Sequence, residues 1–173
     1  MRNMEIVKLS EISDAAVSEL GAGLVATVAN GASVGFLSDF TASDAESYWR
    51  SVRGSLNDYL HLWVAKAEGR IVGSVQLERP TKKNGYVRGE IQKLFVDPAF
   101  RGQRIASKLV EQAEDYAFSI GIHTLVLDTE SGSDADKLYE KLDWVRVGEI
   151  PGYALSPSGE LKGTTYFYKQ RLS

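Results

Sequence analysis

Cysteine is absent from the 173 residues. That excludes a disulfide framework, a thiolate metal site and a cysteine nucleophile. Histidine is nearly absent: only His61 and His123 occur, both inside predicted strands, where a structural role is the commoner one. A histidine-built metal centre or a Ser-His-Asp triad is therefore not expected, and no metal is assigned. An excess of positive charge is also lacking. Lys and Arg number 20 against 23 Asp and Glu, for a net charge of −3. A non-specific nucleic-acid or anionic-membrane binder needs a basic face, so neither partner is expected. No apolar run approaches the roughly 18 residues that span a bilayer, and no charged-then-apolar signal segment opens the chain. The expected location is the cytoplasm. Hydrophobic residues make up 43% and charged residues 25%, which suits a soluble globular chain with a real core. The length fits one domain over residues 1–173.

The stretch Glu90–Leu109, EIQKLFVDPAFRGQRIASKL, reads as a strand, a sharp loop and a helix start. Asp97-Pro98 stops the strand, because proline fixes φ and removes a ladder donor. Arg101-Gly102-Gln103-Arg104 then leads into an amphipathic helix. A helix N-terminus leaves about four backbone N–H groups without partners and carries roughly +0.5 of an elementary charge. Such an end beside two arginines suits an anion, most often phosphate. The competing reading is an ordinary βα junction with solvated arginines. A helix-start residue is expected to have negative φ, so a side chain is expected to be allowed at Arg104.

Apolar periodicity and breakers place the remaining elements. Glu5–Leu9 is a first strand, and Val17, Leu20, Leu24 and Val28 mark a helix over Ser13–Asn30. Gly31–Phe40 is a loop. Ser43-Asp44-Ala45-Glu46 has capping-box form and opens a second helix to about Leu56. Tyr59–Ala67 and Arg70–Glu78 form a hairpin, and Tyr86–Val96 is a long strand. Gly102–Ile120 is a helix ended by Gly121. His123–Asp128 is a buried strand, Ser133 caps a helix to about Leu142, and Trp144–Glu149 and Thr164–Gln170 are strands around a Pro151–Gly163 loop. The order is βααβββαβαββ, an α/β or α+β domain with a mixed sheet. Trp49, Trp63 and Trp144 are expected in the core.

The pattern V-D-P-x-x-R-G-Q-x-I-A-x-x-L resembles the acetyl-CoA motif of the Gcn5-related N-acetyltransferase (GNAT) superfamily. Arg101, Gly102, Gln103, Ile105 and Ala106 match it, and Arg104 stands where the motif usually has glycine. The resemblance implies a twisted mixed sheet flanked by helices. Two parallel strands, here Tyr86–Val96 and His123–Asp128, would splay and bind acetyl-CoA between them. Leu94, Phe95 and Val96 would face the pantetheine arm through backbone atoms, and the N–H groups of Gly102–Ser107 would face the pyrophosphate. With no cysteine, an acetyl-cysteine intermediate is excluded, which leaves direct transfer.

Transfer to an amine needs the neutral amine, and a base helps to supply it. Glu90 matches the glutamate of histone-type members and, by period-two alternation, is expected on the same strand face as Leu94 and Val96. A solvated residue or an ion pair with Arg88 or Lys93 is the plainer alternative. Tyr139, in K-L-Y-E-K-L-D-W, resembles the tyrosine that serves the superfamily as general acid, against a plain core aromatic. Asp143 replaces that motif's glycine. Gly132 falls where many relatives carry a cofactor-facing asparagine, so that contact is not carried over.

Residues Glu90–Lys169, with LDTESGS, RVGEIPGYA, PSGEL and TTYFYK, are similar to the tabtoxin-resistance type of acetyltransferase. That implies a small amino-acid-like toxin or antibiotic as acceptor and, as in many relatives, a homodimer. Phe36, Glu90, Asp128, Glu130 and Tyr153 are the expected acceptor-pocket walls, because acidic and aromatic groups suit a cationic amine, with loop caps the alternative for Asp128 and Glu130. A peptide N-terminus as acceptor and a silent acyl-CoA sensor are the alternatives.

Overall fold

The computed structural model describes residues 3–172. Its elements are β1 (Met4–Leu9), α1 (Asp14–Ala29), α2 (Ala42–Ser55), β2 (Leu60–Ala67), β3 (Arg70–Glu78), β4 (Arg88–Val96), α3 (Ile105–Ser119), β5 (Thr124–Glu130), α4 (Asp134–Lys141), β6 (Val145–Leu155) and β7 (Leu161–Gln170). The order is the expected one. The strands form one seven-stranded sheet, β1-β2-β3-β4-β5-β7-β6. Every neighbouring pair is antiparallel except β4 and β5, which run parallel.

Helices cover both faces, so the central strands are buried on both sides. In β2, Trp63, Ala65 and Ala67 join the core shared with Leu109, Ala113 and Ala117 of α3. Leu62 and Val64 join the opposite core, with Leu20 and Leu24 of α1 and Trp49 of α2. This explains why β2 and β3 read as nearly continuous apolar runs. Full burial of one such large side chain stabilises by about 1.5–3 kcal/mol. Trp49, Trp63 and Trp144 are all buried, as expected. His61 is buried against Tyr116, with ring centroids 4.9 Å apart, and His123 lies just before β5.

Two local expectations are corrected. The capping box of α2 is Thr41–Asp44, not Ser43–Glu46: Thr41 Oγ1 accepts from the Asp44 N–H at 3.1 Å, and Asp44 Oδ2 accepts from the Thr41 N–H at 2.9 Å. The Ser/Thr-x-x-acid pattern occurs in two overlapping frames, and the earlier frame closes both bonds. The Pro151–Gly163 segment is mostly strand. β6 continues to Leu155 and β7 begins at Leu161, leaving only Ser156–Glu160 as a turn. β6 is an edge strand, so Pro151 need not supply a ladder donor. A register shift between Ile150 and Ala154 absorbs it, with Gly152 at φ 60°.

Candidate active site

The site begins with one extra residue in β4. Ser74 stands opposite Phe95 and Gln76 opposite Gln92, so Lys93 and Leu94 together face Val75. Lys93 takes a left-handed conformation, φ 53°. A bulge of this kind bends its strand and increases the local twist. Parallel pairing of β4 with β5 is confined to Arg88–Thr124, Gly89–Leu125 and Glu90–Val126. Beyond Glu90 and Val126 the strands part, at the place where a splay was expected.

The bulge also overturns the expected alternation. Ile91 and Leu94 both pack on the α3 side, although they are three residues apart. Phe95 packs on the α1–α2 side, and Gln92 donates to Gln76, which in turn donates to Tyr48 of α2. Glu90 shares the Gln92 side, so it lies on the face opposite Leu94 and Val96. Period-two counting fails because the extra residue switches faces at Lys93.

One end of the cleft is a cavity of about 530 Å³. Leu94, Phe95, Val96, Arg101 and Ala106 line it with Gly132, joined by Thr27, Asn30, Ser133 and Leu138, which motif reasoning missed. Side chains cap the N-termini of α1, α2 and α4, through Ser13, Thr41 and Ser133. The N-terminus of α3 has no such cap. Its first-turn N–H groups, at Ile105, Ala106 and Ser107, therefore remain open to a ligand. The loop reaches that end through two left-handed residues, Gly102 at φ 77° and Arg104 at φ 60°. The expectation of negative φ at Arg104 is thus wrong, and the conformation explains why the motif prefers glycine there. Gln103 and Arg104 are exposed, the Ile105 side chain is buried in the core, and none of the three lines the cavity. An uncapped helix start next to unpaired strand backbone fits a phosphate- and amide-bearing ligand such as acetyl-CoA.

The other end is a cavity of about 310 Å³, continuous with the first through Ser33, Val34, Leu94, Thr129, Glu130 and Ala135. Here the structure brings together Glu90, Asp128, Glu130, Tyr139 and Tyr153. Burial, then the charges of Asp128 and Glu78, push the Glu90 carboxyl above its ordinary value, and Lys93 offsets part of this. Asp128 accepts from Thr164 Oγ1 at 2.8 Å. Glu130 Oε1 is buried with no partner among the described residues. Tyr139 is 4% exposed, between Trp144 and Phe167 at 5.6 and 5.9 Å. Its burial, with a smaller contribution from Glu114, raises its phenol well above 10. The Tyr153 and Tyr166 hydroxyls share a 3.1 Å hydrogen bond, which is the main reason Tyr166 is raised to about 12.

Phe36 is not a cavity wall. It stacks on Phe40 at 4.2 Å and stands behind Lys93, whose Nζ is 5.0 Å from the ring centroid. Lys93, Lys162 and Thr164 are lining residues that sequence reasoning missed. They carry no motif, and only the bulge turns Lys93 toward the α1–α2 connection.

The model of the acetyltransferase (GNAT) family matches residues 28–144. The chain belongs to that family. N-acetylaspartate synthetase of Danio rerio is 33% identical over 114 residues, covering 65% of this chain and 38% of that protein. The chain thus spans well under half the length of that relative. N-alpha-acetyltransferase 30 of Schizosaccharomyces pombe is 28% identical over 114 residues, covering 62% of this chain and 76% of that protein. The structure of yncA from Salmonella typhimurium with its cofactor acetyl-CoA superposes with a TM-score of 0.74 at 19% identity, covering 97% of this chain and 94% of that one. At that identity the likeness shows the shared fold.

Proposed function

We propose that this GNAT domain transfers acetyl from acetyl-CoA directly to the primary amine of a small amino-acid-like molecule. The observation that carries the reading is one continuous cleft. It has an uncapped helix start at one end and a half-buried carboxylate facing a buried phenol's cavity at the other. Acetyl-CoA, when bound, supplies the acetyl group as a thioester. The open N–H groups of Ile105–Ser107 take its phosphates, and backbone groups of Leu94–Val96 take its amides. Glu90 accepts the proton of the acceptor ammonium. Its raised pKa makes it a stronger base than an ordinary glutamate while leaving it ionisable. Tyr139 stays protonated and holds a proton for the sulfur that leaves. Amine nitrogen bonds to the acyl carbon, the carbon–sulfur bond breaks, and the two protons move through Glu90 and Tyr139.

Three observations support a small acceptor. The cavity of about 310 Å³ is at the low end for a ligand site. The Ser38 N–H donates to the Pro157 carbonyl at 2.8 Å, tying the α1–α2 connection to the β6–β7 turn. N-acetylaspartate synthetase, a relative, is named for a small amino-acid product. The likeness to tabtoxin-resistance enzymes extends the reading to amino-acid-like toxins. The second reading, a peptide N-terminus, draws on the likeness to N-alpha-acetyltransferase 30. No helix among the described residues is long and apolar enough to cross a membrane, and no group of His, Cys, Asp or Glu among them is placed to hold a metal. A cytoplasmic homodimer remains part of the proposal. The edge strand β6, exposed throughout and bearing Val145, Val147, Ile150 and Leu155, supports pairing of two copies. A thiol-release assay with acetyl-CoA against free amino acids, amine toxins and peptides tests the function. Release with small amines supports it, release with peptides alone supports the second reading, and cofactor binding without release supports a sensor.

A further inference from the structure

Lys93 and Lys169 are both partly buried lysines of the sheet, and of these two only Lys169 has its charge answered at contact range. Lys169 Nζ lies 2.9 Å from Glu114 Oε2 and donates to the Leu142 carbonyl at 2.8 Å. Lys93 Nζ donates to the Val34 carbonyl at 2.9 Å and sits 5.0 and 5.9 Å from the ring centroids of Phe36 and Tyr48. Among the described residues no carboxylate comes within ion-pair distance of it. An ammonium has three donors, and Val34 uses one. Burial depresses the Lys93 pKa, and Glu90 and Asp128 act on it only from longer range. A partly buried charge without a counter-ion is costly, and a ligand that brings one recovers that cost.

Lys93 lines the smaller cavity together with Glu90 and Asp128. Gly35 keeps the space around its ammonium clear, since a Cβ there would lie 2.6 Å from Nζ. The cavity lining therefore carries both acidic groups and a lysine whose charge has no contact-range partner. A polyamine would set like charge against Nζ. A molecule with an ammonium and a carboxylate on neighbouring atoms satisfies both.

We infer that Lys93 is a specificity-determining residue that receives the acceptor's carboxylate while the amine faces Glu90, so that the acceptor is a free α-amino acid. The inference rests on the acetyl-transfer reading above and narrows it. A carboxylate on Lys93 makes a charge-assisted hydrogen bond, which a carboxamide matches poorly and a decarboxylated amine cannot make.

The test measures kcat/KM with acetyl-CoA for the proteinogenic L-amino acids, their carboxamides and their decarboxylated amines. It compares the wild type with Lys93→Met and Lys93→Arg. The wild type should prefer the best free amino acid over its amide and amine by at least about tenfold. Lys93→Met, which keeps the apolar stem over Phe36, should erase that preference through the KM of the amino acid. Lys93→Arg should keep part of it. Equal wild-type activity on all three forms overturns the inference. So does a Lys93→Met enzyme that loses activity on all three in proportion, because the lysine would then only hold the Val34 loop. Turnover of no amine at all overturns the acetyl-transfer reading and this inference with it.

Discussion

The two ends of the cleft are built from different materials. At the α3 end the working parts are backbone: an uncapped helix start, two left-handed residues and a strand edge without a partner. At the β6–β7 end they are side chains, drawn from β4, β5, α4, β6 and β7. A backbone site constrains the sequence locally, because only certain residues allow its conformation. A side-chain site constrains positions that lie far apart in sequence. The comparison teaches that cofactor binding and acceptor chemistry should respond to different mutations.

The largest effect is expected at Glu90. Glu90→Gln should lower kcat by about 10²- to 10⁴-fold, the range for loss of a general base. In the wild type, kcat/KM should rise with pH through the Glu90 pKa, which lies above the ordinary 4.5, and the variant should lose that limb. Stability should move the other way. A carboxyl with a raised folded-state pKa contributes stability below its unfolded pKa and loses it as pH rises through the folded value. Thermal melts should therefore show Glu90→Gln slightly more stable than wild type near neutral pH, with the gain gone below about pH 4.5.

Tyr139→Phe should cost about 10²-fold in kcat, at the low end of the same range, because water can replace a proton donor to a thiolate. Its packing between Trp144 and Phe167 keeps the ring in place, so a circular-dichroism melt should change little.

Gly102→Val tests the other end. A β-branched residue forced to φ 77° costs about 1–2 kcal/mol, and the loop can escape by moving. Calorimetry should find acetyl-CoA affinity weakened by about tenfold. The smallest effect is expected at Arg104→Gly. Relief of the left-handed strain, less the entropy of glycine, should raise stability by up to about 1 kcal/mol with cofactor affinity retained. Lost affinity would mean that the Arg104 side chain reaches the ligand.

The same contrast explains what the residues made legible. The order of all eleven helices and strands could be read from apolar periodicity and breakers, and the α3 loop from its glycine and arginines. The bulge at Lys93 could not be read, because a lysine carries no signal for φ 53°. Missing it put Glu90 on the wrong face. Arg104 and Asp143 are instructive together. Each replaces a glycine of the family pattern, and each is left-handed, at φ 60° and 63°. At both positions the backbone adopts a conformation to which glycine is best suited. Phe36 was read as a wall from its position in the first loop, but the Lys93 side chain reaches in front of it. The strand content of Pro151–Gly163 was hidden because an edge strand tolerates proline and glycine.

The account rests on the separation of a backbone-built cofactor end from a side-chain-built chemical end. The most direct test is calorimetric titration of acetyl-CoA into the Glu90→Gln/Tyr139→Phe double variant, with turnover measured on the same sample. The account predicts a Kd within about twofold of the wild type and turnover close to the uncatalysed rate. A Kd weakened as far as turnover, or turnover left intact, would contradict it.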